Sequence, residues 1–100
     1  MFIIGYVTLT TLAQLRDLVR ARNYVVSLHA EEELDDDDLS IFDLEHILLT
    51  GRIAERQIDR DTRESKCVVA GYTLAGAAAE AVVKIGPTGK LYVISVYLAA

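Results

Sequence analysis

The interval between apolar residues changes at Gly51, and few features constrain the fold of a chain more tightly. Before that glycine the apolar side chains recur every three or four residues; after it they alternate with polar ones. The first pattern buries a stripe of a helix, the second one face of a strand. Helices followed by a run of strands predict an α+β domain, with the helices laid on one face of the sheet.

Punctuation residues divide each half further. Thr11 and Gln14 have capping-box spacing, and Leu12, Leu15, Leu18 and Val19 form an apolar stripe that runs to Arg22, with Asn23 as the stop. Ser27 can cap a second short helix from His29 to about Leu34. Asp35 to Asp38 repel one another and predict a solvated turn. Ser40 with Asp43 makes another capping box; Ile41, Leu44, Ile47 and Leu48 form the buried stripe behind it, which ends at Gly51. Residues 52–60, 66–73, 78–85 and 90–98 read as four strands joined by short turns, which implies an antiparallel meander. The expectation is a single domain over residues 1–100, two to three N-terminal helices on a four-stranded antiparallel sheet. The opening MFIIGYVT is strand-like and could pair at the sheet edge or serve as a dimer contact.

Alternation also sorts the strands into faces. Cys67, Val69, Ala79, Ala81, Val83, Ile85, Leu91 and Val93 share the parity expected to meet the helices. The opposite parity carries Lys66, Tyr72, Glu80, Lys84 and Tyr92, with Arg56 and Arg60 expected to join them. Tyr97 can fall on either side if a bulge shifts the register.

Composition narrows the function classes. At 52% hydrophobic residues with one proline the chain is expected to fold, and no apolar run approaches the roughly 18 residues of a membrane span. The opening segment lacks a positive leader and a small-residue cleavage site, so a secretion signal is not expected and the cytoplasm is the default. The lone Cys67 excludes an intramolecular disulfide. Residues 1–50 hold 3 Lys/Arg against 10 Asp/Glu, and residues 51–100 hold 7 against 5. An acidic chain binds phosphate backbones poorly as a whole, so any RNA contact belongs to the second half.

The densest polar cluster is SLHAEEELDDDDLS, where His29 precedes seven carboxylates in residues 31–38. Metal-free cleavage of RNA needs a base for the 2′-hydroxyl, an acid for the leaving 5′-oxygen and cations around the phosphorane. His29, Lys66, Lys84 and Tyr97 can supply the proton carriers and charge, and Arg56, Arg60 and Tyr72 can hold the RNA by charge and stacking. Each has a structural alternative. His29 can be a hydrogen-bonded helix-start residue, or with Glu32 or Glu33 part of a metal site, although no third ligand is evident. The lysines can be solubilising charges, the tyrosines packing residues, and the arginines partners of Glu55, Asp59 and Asp61. His46 reads as structural, and Cys67 as core. No cofactor is implied.

Several separated stretches carry a family resemblance. Ser27-x-His29-Ala30, then Ile41-Phe-Asp-Leu-Glu-His-Ile-Leu-Leu-Thr-Gly51, Glu55-Arg56-Gln57, Lys66 with Gly71, Val82-Val83-Lys84-Ile85 with Gly86-Pro-Thr-Gly89, and Val96-Tyr97 follow in order. Together they resemble a bacterial and cyanobacterial family of small domains of unknown function, often encoded beside a YgiT-type zinc-finger protein. The resemblance implies a fold akin to RelE-type and MqsR-type messenger-RNA interferases, and a toxin held by an antitoxin. Two departures stand out: Ala77-Ala78-Ala79 replaces larger or polar residues, and the chain is acidic where such RNases are commonly basic. The expected function is a metal-independent endoribonuclease of a type II toxin–antitoxin pair. The rivals are a non-catalytic binding module of the same fold and a metal-dependent hydrolase built on His29. A homodimer is also compatible.

Overall fold

The computed structural model describes residues 2–4, 7–58, 60–61 and 64–99, without side-chain placement before Thr10. Two short strands, β1 (Phe2–Ile4) and β2 (Val7–Leu9), pair with each other as a separate two-stranded sheet. Three helices follow, α1 (Leu12–Arg20), α2 (Leu28–Asp36) and α3 (Ile41–Thr50), with a strand β3 (Tyr24–Val26) between the first two. The second half is β4 (Arg52–Ile58), β5 (Ser65–Tyr72), β6 (Ala78–Ile85) and β7 (Leu91–Leu98).

The helix starts obey their caps. Thr11, Ser27 and Ser40 each accept a hydrogen bond from the backbone N–H three residues on, satisfying a donor that the first turn leaves orphaned. At Ser40 the box is reciprocal, since the Asp43 carboxylate accepts from the Ser40 N–H at 2.9 Å. A second donor, the Leu74 N–H, reaches Asp43 at 2.9 Å and ties the β5–β6 turn to the start of α3.

The sheet departs from expectation in one respect. It has five strands in the order β3-β7-β6-β5-β4, because Tyr24–Val26 adds a parallel strand beside Leu91–Val93. The four meander strands are antiparallel as expected. A three-residue strand whose partner lies 67 residues away leaves no local period to detect. The opening segment likewise makes its own two-stranded sheet and does not extend the larger one.

The helices cover one sheet face. Leu15 and Val19 of α1, Ala30 and Leu34 of α2 and Leu44, Ile47 and Leu48 of α3 are buried against Cys67, Val69, Ala79, Ala81, Val83, Leu91, Val93 and Val96. Full burial of one such leucine stabilises by about 1.5–3 kcal/mol. The α3–β5 approach needs Gly51: a Cβ there would stand 2.5 Å from the Ile47 oxygen and 2.6 Å from the Ala70 oxygen. Among the described residues no helix is long and apolar enough to cross a membrane.

Candidate functional site

Register arranges the side chains of the sheet face away from the helices in three rows. Arg52, Ala70, Glu80 and Tyr97 make the first; Glu55, Val68, Val82 and Ser95 the second; Gln57, Lys66, Lys84 and Tyr92 the third. Val68 at the centre is only 6% exposed. Two bulges set the rows. One between Ile53 and Glu55 shifts β4, and one opposite Val82 and Val83 shifts β7. The second brings Tyr97 to this face while Val96 turns into the core.

The first bulge overturns one expectation. Arg56 lies opposite Cys67, on the helix-facing side, where its guanidinium donates to the Thr10 carbonyl and approaches Cys67 Sγ at 3.7 Å. That position fastens the N-terminal segment to the sheet and removes Arg56 from the open face. The neighbouring positive charge opposes, without cancelling, the upward push that burial gives the Cys67 thiol. Arg60 stands in the turn after β4, exposed. The expected pairing with Asp59 lies outside the described residues.

Lys66 and Lys84 are brought together as a directly opposed pair, with Lys84 Nζ 3.2 Å from Glu64 Oε2. Tyr72 shares their face but sits six residues along β5 from Lys66, about 20 Å away, and is 61% exposed. It walls a shallow cleft of about 180 Å³ whose floor is Ala70, Ala78 and Ala79 and whose rim includes Arg52 and Glu80. Ala78, directly opposite Tyr72, is small enough to leave that space open. Tyr97 Oη donates to Glu80 at 2.9 Å. Burial, then that bond and the charges of Glu80, Glu33 and Glu55, push its phenol above the ordinary range.

His29 sits at the sheet's edge rather than over the lysines. Its Nε2 is 3.2 Å from Glu33 Oε1, and its side chain is 68% exposed. The same Glu33 oxygen accepts from Ser95 Oγ at 2.6 Å and from the Val96 N–H at 3.1 Å. One turn later Asp37 Oδ2 accepts from the Leu98 N–H at 3.2 Å. Beyond Val93, among the described residues, the edge of β7 has no strand beside it, and these i, i+4 carboxylates take the backbone donors that a strand would have bonded. Ser27 makes the handover: its N–H donates to the Val93 carbonyl, and its hydroxyl donates to the Ile94 carbonyl while accepting from the Ala30 N–H.

The acidic run is thus not uniformly a solvated turn. The helix continues through Asp36, Glu33 and Asp37 face β7, and Asp37 and Asp38, the latter at φ +56, form the turn that ends it. Sequence reasoning named Glu33 only as a metal-ligand candidate beside His29, read Asp37 as part of a solvated turn, and missed Ser95. The usable signal was the helical spacing of His29, Glu33 and Asp37 against a strand lacking an outer neighbour. Among the described residues no three His, Cys, Asp or Glu side chains converge as a metal site.

Residues 26–98 match the family model described as Domain of unknown function (DUF4258). No curated protein and no solved structure matches the chain.

Proposed function

The chain belongs to the family described as Domain of unknown function (DUF4258), and on that premise we propose that its open sheet face is the working surface of a toxin-type, metal-independent endoribonuclease controlled by an antitoxin protein. The observation that carries the reading is the Lys66–Lys84 pair. Like charges directly opposed across strands cost stability, and one Glu64 offsets only part of that cost. A phosphodiester bridging the two ammoniums would repay it. In this reading the fold is of the RelE type, and the neighbouring antitoxin is of the YgiT zinc-finger type.

The chemistry follows from the rows. Ser95 lies one rung, about 7 Å along the sheet, from the Lys84–Tyr92 row. His29, held near it through Glu33, is the proton carrier for the 2′-hydroxyl. The 2′-oxygen attacks phosphorus, the 5′-oxygen leaves with a proton, and a 2′,3′-cyclic phosphate remains. Lys66 and Lys84 hold the phosphorane's charge, and the Tyr72 cleft, about 20 Å along the sheet, stacks a base roughly three nucleotides away. Tyr97, kept neutral by burial and then by its bond to Glu80, lies two rungs, about 13 Å, from the lysine row and serves as a donor to the RNA beyond the scissile phosphate.

That same environment favours a second reading, a non-catalytic binding module of this fold. Glu33, Glu55 and Glu80 gather around Tyr97, and His29 is engaged by a carboxylate that also anchors β7. The two readings separate in one experiment. Purified protein is incubated with end-labelled single-stranded RNA in EDTA, and product ends are analysed. The expected outcome is cleavage with cyclic phosphate ends, reduced by about 10² to 10⁴ in His29→Gln while that variant's stability stays within about 1 kcal/mol. RNA binding without cleavage establishes the module instead, and cleavage that requires a divalent ion refutes the metal-independent route.

A further inference from the structure

We propose that the free edge of β3, with the groove beside it, takes a basic, extended segment of a partner polypeptide as an added strand. This goes beyond the reading above and does not depend on catalysis.

The edge is unpaired on one side. The Asn23 carbonyl accepts from the Leu91 N–H and the Ser27 N–H donates to the Val93 carbonyl, so the odd-numbered positions of this stretch turn their backbone groups toward β7. Alternation sends the N–H and C=O of Tyr24 and Val26 the other way. Among the described residues nothing bonds those four groups.

Among the described residues nothing defends this edge either. Natural edge strands are blunted by charges, proline, bulges or a covering element. The opposite edge, β4, has a bulge and carries Arg52, Glu55 and Arg56. The far part of β7 is covered by α2 through Glu33 and Asp37. Strand β3 is Tyr24-Val25-Val26, uncharged, with Val25 40% exposed.

What fits the edge is decided beside it. A groove of about 370 Å³ begins at Val26 and runs between α2 and the start of α3. Val26, Leu34, Leu39 and Ile41 give it an apolar lining, and Glu31 and Asp35 stand on its rim. These two carboxylates lie on the side of α2 turned from Glu33 and Asp37; among the described residues they make no bond to β7, and no lysine or arginine lines the groove. The nearest cations in sequence, Arg20 and Arg22, precede β3 at its other end. An added strand would direct alternate side chains into the groove, apolar ones to its lining and Lys or Arg to its rim. Charge complementarity therefore selects a segment of roughly five to seven residues that alternates apolar and basic side chains.

The test uses the full chain and a displayed library of random heptapeptides. Selection is expected to enrich alternating apolar and basic sequences that bind more weakly as salt rises. In amide exchange the selected peptide should protect Tyr24 and Val26, leaving Val25 unchanged because its groups already face β7. The double reversal Glu31→Lys with Asp35→Lys, both exposed, should lower affinity at least about tenfold with unchanged circular dichroism. The proposal is overturned by acidic or absent enrichment, by equal affinity of the reversed variant, or by binding without protection of Tyr24 and Val26. Protection that rises with protein concentration alone would also overturn it, since a second copy of the chain would then own the edge.

Discussion

Replacing Glu33 by alanine isolates the clasp that replaces a missing strand. One carboxylate oxygen serves Ser95 Oγ at 2.6 Å and the Val96 N–H at 3.1 Å, in a side chain 22% exposed. Hydrogen bonds to charged acceptors contribute about 1.5–3 kcal/mol each, and loss of the shared acceptor strands both donors at once. Water can reach the site in part, which brings the expected loss to about 2–3 kcal/mol. The His29 contact adds little, because that pair is mostly exposed on the histidine side. Glu33→Gln keeps an acceptor and should cost about half as much. Glu32→Ala, on an exposed side of the same helix, should stay within about 0.5 kcal/mol. Urea denaturation followed by circular dichroism measures all three, and Glu33→Ala should lower Tm by roughly 10–20 °C. Amide exchange at Val96 should accelerate in parallel. If Glu33→Ala costs no more than Glu32→Ala, the carboxylate is not holding β7 and the account of this edge is refuted.

Gly51→Ala forces a Cβ against two backbone oxygens and should destabilise by upwards of about 3 kcal/mol in the same assay. Tyr24 Oη donates to Glu45 at 2.7 Å, and burial followed by that carboxylate pushes its pKa up to about 12. A folded pKa above the unfolded value near 10 stabilises fully below about pH 10 and is lost as pH rises toward 12, so Tyr24→Phe should flatten the decline of the urea midpoint across that window. Asp43 is shifted the other way, lowered by the Ser40 and Leu74 backbone donors. Its contribution is present above the unfolded carboxylate pKa near 4 and lost as pH falls below it, and Asp43→Asn should remove that part of the acid limb in a pH series of denaturation curves.

Local chemistry made much of this protein legible before its structure. Caps at Thr11, Ser27 and Ser40, the helical stripes and the alternation after Gly51 act over a few residues, and each appears where its neighbours require it. The inward set from Cys67 to Val93 and the outward pair Lys66 and Lys84 follow from period two alone. Of the candidate site, the face was legible but its membership was not. A single bulge after Ile53 carries Arg56 to the helix side, and another in β7 delivers Tyr97 to the open one. A bulge adds one residue to one strand, so it reverses every side chain beyond it without leaving a mark in composition. The parallel pairing of Tyr24–Val26 with β7, and the use of Glu33 and Asp37 as its edge acceptors, were decided only by the tertiary structure. Both depend on groups more than 60 residues apart, and no local preference of the acidic run distinguishes a carboxylate that faces a strand from one that faces water.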